Sequence, residues 1–188
     1  MDKRHFLGTA AMAAFLPASA APCARGPVLL TITGALARSN RGPFDPGSDV
    51  MMGKHKLGFD RAYTVDAGAL AALAQASIRP TLEYDGKAHT LSGPLLLDVV
   101  AQAAGRPGAA RKLVLRAVDG YAVTITAGQA GEQRFMLATH MDGKPMALGG
   151  LGPLWAVVDA DRIAALKDKP LNERFGNCPW GLYHIEVI

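Results

Sequence analysis

Leu91-Ser-Gly-Pro-Leu-Leu-Leu-Asp-Val-Val-Ala-Gln-Ala-Ala-Gly105 is the stretch on which the fold turns. Pro94 suits a helix start, because its φ is preset and its missing N–H would have no partner there. Gly105 suits the left-handed residue that ends a helix. Between them, residues 95–104 hold no breaker and read as a helix. Upstream, Asp85-Gly86 is a hairpin turn signal, joining an extended 79–84 to a return over 88–91. Downstream, residues 112–117, 122–126 and 135–139 read as strands, with Asp119-Gly120 and Asp142-Gly143 as turns. Residues 28–33, Val-Leu-Leu-Thr-Ile-Thr ahead of Gly34, read as the first strand, and 63–65 as a short one. Asp66 stands as the N-cap of a helix over 67–76, and 155–158 and 182–188 read as the last strands. Residues 37–60 are irregular, with turn chemistry throughout Asn40-Arg41-Gly42-Pro43-Phe44-Asp45-Pro46-Gly47. Strands with two or three short helices, out of regular alternation, argue a single α+β domain.

The first twenty residues read as a cleavable export signal. Lys3, Arg4 and His5 form a basic start, residues 6–16 an uncharged apolar run, and Ala18-Ser19-Ala20 a small-x-small cleavage pattern. The run is shorter than the roughly 20 residues a bilayer span needs. Lys3-Arg4-His5-Phe6-Leu7 also resembles the twin-arginine signal, with Lys in the first basic position. The expected mature domain is 21–188, in the periplasm. The 20 basic and 16 acidic residues are interspersed without a Lys/Arg block, which argues against a nucleic-acid surface. Two cysteines, Cys23 and Cys178, could form one disulfide in an oxidising compartment or remain two thiols. The sequence leaves both open.

Motifs with self-contained chemistry are missing. The chain has no Gly-rich phosphate loop, no paired-cysteine metal motif, no His-x-x-x-His and no nucleophile elbow. His55 and His140 have no partner visible in the sequence. Met51-Met52 near His55 would suit cuprous ion, with loop packing as the plainer reading.

The opening stretch resembles the Gly-x-Pro-Leu-x-Asp-Val helix of the sulfite oxidase-type molybdopterin-binding domain. Leu115-Arg-Ala-Val-Asp-Gly-Tyr-Ala-Val-Thr-Ile125 resembles that family's next strand-turn-strand. Leu137-Ala-Thr-His-Met-Asp-Gly-Lys-Pro-Met146 resembles its Met-x-Gly-x-Pro-Met hairpin. Gly152-Pro-Leu-Trp-Ala-Val-Val158 and Trp180-Gly-Leu-Tyr-His-Ile-Glu-Val187 resemble its final strands. All lie in the family's order. The resemblance implies a β-rich, sulfite oxidase-like fold over residues 28–188.

Catalytic members of that family carry a molybdenum-binding cysteine on the segment before the Gly-Pro-Leu helix. Here residues 79–91 contain none, and Cys178 falls far later in the chain. The resemblance therefore implies a periplasmic binder of a pterin or pterin-like ligand rather than a molybdenum enzyme. The resemblance further implies a sensor or adaptor for a membrane-bound signalling partner. A molybdopterin oxidoreductase without cysteine ligation, or an interaction domain with a vestigial pocket, are the competing readings. A pterin needs an aromatic face and a carboxylate for its amino edge. Trp155 and Tyr121 are the candidate faces, with a core role as the alternative for Trp155. Asp119 is the preferred carboxylate and Asp142 the second, with turn formation as the alternative for either. Arg116 could bond a carbonyl or phosphate, and Arg41, in the 40–42 loop, could close over the ligand. Relatives of the binding type carry Arg-Asp-Lys where this chain has Leu148-Gly149-Gly150-Leu151.

Overall fold

The computed structural model describes residues 26–188. The expected export signal and Cys23 lie outside the described residues. Five strands form the main sheet: β1 (Val28–Gly34), β2 (Tyr63–Asp66), β5 (Lys112–Ala117), β6 (Ala122–Thr126) and β11 (Leu182–Val187), in the order β2-β1-β11-β5-β6. Only the central pair, β1 and β11, runs parallel; the other neighbours are antiparallel. A parallel pair at the centre of a sheet is covered on both faces, and Leu30 to Thr33 are accordingly all buried. A second sheet runs β3-β4-β8-β9, from β3 (Gln75–Ile78), β4 (Leu91–Pro94), β8 (His140–Met141) and β9 (Lys144–Pro145). β7 (Met136–Ala138) and β10 (Trp155–Val157) pair beside it. The result is mixed α and β in one compact domain, the α+β class expected.

The core lies between these sheets and α3 (Leu96–Ala104). Leu96, Val99, Val100 and Ala103, spaced i, i+3, i+4 and i+7, are each fully buried. Gly105 ends the helix at φ +70°. Pro94 departs from its expected part by closing β4, and Leu95 remains extended as the N-cap. The Leu96 N–H donates to Phe135 O at 2.9 Å, so a backbone carbonyl replaces a side-chain cap.

Helix 67–76 is shorter than expected. α2 spans Ala67–Ala71, with Asp66 Oδ1 accepting from Ala69 N at 2.7 Å as the N-cap. Gln75 Nε2 donates to Leu70 O and Leu73 O at 2.9 and 2.8 Å, closing the helix end. From Gln75 the chain pairs antiparallel with β4 instead. Extended 79–84 is likewise only a Thr81–Ala88 bridge and a hairpin tip. Three short helices fall where none was expected: α1 (Val50–Lys54), inside the irregular 37–60 segment, α4 (Ala127–Glu132) and α5 (Ala164–Lys167). α1 buries Met52, so that methionine packs in the loop core.

The outer face of β1, β5 and β11 is polar yet covered. His184, 1 % exposed, has Nε2 2.9 Å from Thr33 Oγ1 and Nδ1 3.2 Å from the Arg116 guanidinium. Arginine has no acceptor, so Nδ1 must accept and Nε2–H donates to Thr33. Burial, then the Arg116 charge, pull the imidazole down to about 3. It is therefore neutral at physiological pH.

Candidate functional site

Two turns and one late segment meet at a pocket of about 270 Å³ at one end of the main sheet. The turn between β5 and β6 supplies Asp119 and Tyr121, the hairpin tip before β4 supplies Glu83 and Tyr84, and the segment before β11 supplies Phe175, Cys178 and Trp180. Tyr84, Tyr121 and Trp180 are 56, 48 and 38 % exposed. Three half-open aromatic rings around one small concavity, with two carboxylates beside them, form an amphipathic site.

Local chemistry sets each position. Asp119 Oδ1 accepts from Tyr121 N at 2.8 Å, the Asx turn that an Asp-Gly pair favours. Its Oδ2 makes no hydrogen bond among the described residues, so the same carboxylate shapes the turn and keeps an acceptor spare. The Tyr121 hydroxyl donates to Gly176 O, tying the β5–β6 turn to the late segment. Burial of the Tyr84 hydroxyl, then the neighbouring Glu83 charge, push its pKa up to about 12. Tyr84 therefore remains a neutral donor. Backbone pairing of Trp155 with Trp180 sets the two tryptophans side by side.

Of the residues expected in the site, the fold brings together Asp119 and Tyr121 and separates the rest. Trp155 is fully buried, its indole N–H donates to Cys178 O at 2.8 Å, and its ring lies 5.7 Å from Phe175. It has no face to offer a ligand, and the core alternative is the one its surroundings fit. Arg116 lies on the outer sheet face, paired with Glu186 at 2.8 Å as well as with His184. Arg41 pairs with Asp49 and lies 5.2 Å from the Phe59 ring centroid, which organises the loop it belongs to. Asp142 forms its hairpin turn at φ +48° beside Gly143. None of these four lines the pocket.

Trp180, Tyr84 and Glu83 complete the site and were missed. The signal for Tyr84 was present: Tyr84-Asp85-Gly86 sets an aromatic against an Asp-Gly turn, as Asp119-Gly120-Tyr121 does. Trp180 follows Pro179 just ahead of a strand, and only the fold shows which of the two tryptophans is exposed.

Cys178 lies far along the chain from Glu83 and Tyr84, yet it shares their pocket wall. Its thiol is 4 % exposed, and burial pushes its pKa up to about 12. The unliganded thiol is therefore protonated at physiological pH. Among the described residues no group of three or more His, Cys, Asp or Glu side chains is placed to hold a metal ion.

At the far edge of the hairpin, Asp142 Oδ2 lies 2.6 Å from His89 Nδ1, and Asp85 Oδ2 lies 3.0 Å from its Nε2. Asp142 Oδ1 also accepts from Thr90 N at 2.9 Å. The bonds to Asp142 and then Asp85 raise the His89 pKa above 6.5, and His89 lowers both carboxylates below 3.8. A raised histidine stabilises below its unfolded pKa and loses that contribution as pH rises through the folded value. Lowered carboxylates stabilise above theirs and lose it as pH falls. The clasp is therefore strongest between about pH 4 and 6.5. An NMR titration should place His89 above 6.5 and move it back toward that value in Asp142→Asn. A wild-type His89 titrating at or below 6.5 would show that the clasp is not formed.

No family model matches this chain, and no curated protein matches it either. Among the described residues no helix is long and apolar enough to cross a membrane.

Proposed function

We propose that this chain is an exported pterin-binding protein with the sulfite oxidase-like molybdopterin-binding fold, a sensor or adaptor rather than a molybdenum enzyme. The observation that carries the reading is the pocket shared by Tyr84, Tyr121, Trp180 and Asp119. A pterin is a flat bicycle whose amino and ring N–H groups form a donor edge. A stacked aromatic contributes about 1–3 kcal/mol by analogy with nucleic-acid bases. The spare Oδ2 of Asp119 accepts from that edge, and a charge-assisted bond is roughly twice as strong as a neutral one. A volume of about 270 Å³ falls just below the ~300 Å³ at which ligand pockets begin, room for the bicycle and little beyond it. The absence of a cysteine from residues 79–91 favours a binder over an oxo-transfer centre. A membrane-bound signalling protein is the proposed partner.

Purified from the periplasm, the protein is expected to carry pterin fluorescence without molybdenum by elemental analysis. In calorimetric titrations with unsubstituted pterin, Trp180→Ala and Asp119→Ala should each weaken binding tenfold or more, about 1.4 kcal/mol. Stoichiometric molybdenum would sink the binder reading. Unchanged affinity in both folded variants would remove the pocket from ligand binding.

A further inference from the structure

A second cavity, of about 620 Å³, shares no lining residue with the aromatic pocket. β3, the C-terminal end of α4, β7 and the turn at 159–163 enclose it. Ile78, Leu95 and Ile163 give it apolar wall, and Arg79, Arg134 and Arg162 bring three guanidinium groups to it. The side chains of Arg79 and Arg134 make no hydrogen bond or salt bridge among the described residues. Arg162, 86 % exposed, has a single long contact, 3.4 Å to Asp159. Asp159 is also in the wall, and its Oδ1 is buried without a hydrogen-bond partner.

Arg134 is held in an unusual backbone conformation. Its φ is +52°, and it follows α4 where Arg134 N donates to Gly131 O and Phe135 N to Ala130 O, at 3.1 and 2.9 Å. This double closure normally takes glycine at the left-handed position, because a Cβ is strained there. Strain of this kind persists where the surrounding structure over-determines it, and it clusters at ligand clamps and active sites. Here that side chain is a cation without a hydrogen-bond or ion-pair partner among the described residues, at the edge of this cavity.

We propose that this cavity binds a small organic anion carrying a hydroxyl or amino donor. The three arginines hold the anionic group, as planar guanidinium forks suit carboxylate and phosphoryl oxygens. Asp159 accepts from the donor, and the apolar wall covers the carbon body. The site is separate from the pterin pocket and does not depend on it.

The test titrates the mature chain with L-malate, with glycerol 3-phosphate and with inorganic phosphate. One of the two organic anions should bind one-to-one and at least tenfold more tightly than inorganic phosphate. Arg134→Gly relieves the strain, so it should fold at least as stably as wild type while losing that affinity tenfold or more. Arg79→Gln should give the same loss, and both variants should bind pterin as wild type does. Binding of neither organic anion at millimolar concentration would overturn the proposal. So would a preference for inorganic phosphate, or wild-type affinity in both variants.

Discussion

Gly93→Ala is expected to cost about 3 kcal/mol or more of folding stability, from a single added methyl. A Cβ at Gly93 would sit 1.9 Å from Leu137 O, 2.8 Å from Leu137 C and 3.0 Å from Ala138 Cα. These are backbone atoms of β7, so no side chain can rotate away. β7 is held in turn by its ladder to β10, where Ala138 pairs with Trp155 and Leu137 with Ala156. On the other side, β4 is held by β3 and by Thr139 N donating to Ser92 O at 2.9 Å. Making room at Gly93 therefore means parting β4 from β7 inside the core, with α3 following β4 after Leu95 alone. Typical domains hold only about 5–15 kcal/mol in reserve, so a severe loss of soluble yield should accompany the loss of stability. Gly58→Ala, where an added Cβ meets nothing within 4 Å, is the control and should remain within about 0.5 kcal/mol of wild type. Equal denaturation midpoints for the two variants would show that β4 and β7 do not approach as closely as described.

The second large effect is at Trp155. Replacing a fully buried tryptophan by alanine costs about 3–5 kcal/mol, the transfer free energy plus the cavity left behind. Loss of the indole N–H also leaves Cys178 O without its donor, a further contribution of about 1 kcal/mol. Trp155→Phe loses that bond and leaves a smaller cavity, so its cost should fall well short of the alanine variant's. Urea unfolding measures both, and an unchanged slope with a lowered midpoint would locate the effect in the folded state. A Trp155→Ala protein as stable as wild type would place that ring outside the core. Trp155 bonds to the segment that carries Trp180. Its removal therefore disturbs the aromatic pocket through its support and not through a lost ligand contact.

What the sequence made legible was local. The periodicity of Leu96, Val99, Val100 and Ala103, the cap at Asp66 and the Asp-Gly turns depend on neighbours within a few residues, and each appears where expected. Helix 67–76 did not, because pairing of Gln75–Ile78 with β4 outcompeted a weak helix that buries only Leu70. The parallel pairing of β1 with β11 joins the two ends of the domain and has no local signal.

The same limit explains the site. Asp119 and Tyr121 share one turn and could be found together. Trp155 and Trp180 look alike as aromatic residues near late strands, and only cross-strand packing makes one core and the other surface. Chain order set Cys178 apart from residues 79–91, while the fold returns it to the wall they line. Arg116 and Arg41 are exposed-looking cations in the sequence, and their partners, Glu186 and Asp49, become visible only in three dimensions.

The two tryptophans also provide the most direct test of ligand binding at the aromatic pocket. In a protein labelled with 15N at the indoles, unsubstituted pterin should shift the Trp180 N–H resonance saturably at one equivalent, with a smaller change at the buried Trp155. Asp119→Ala should shift that titration to at least tenfold higher pterin concentration. A Trp180 resonance that does not respond to pterin in the folded wild-type protein would contradict pterin binding at this site.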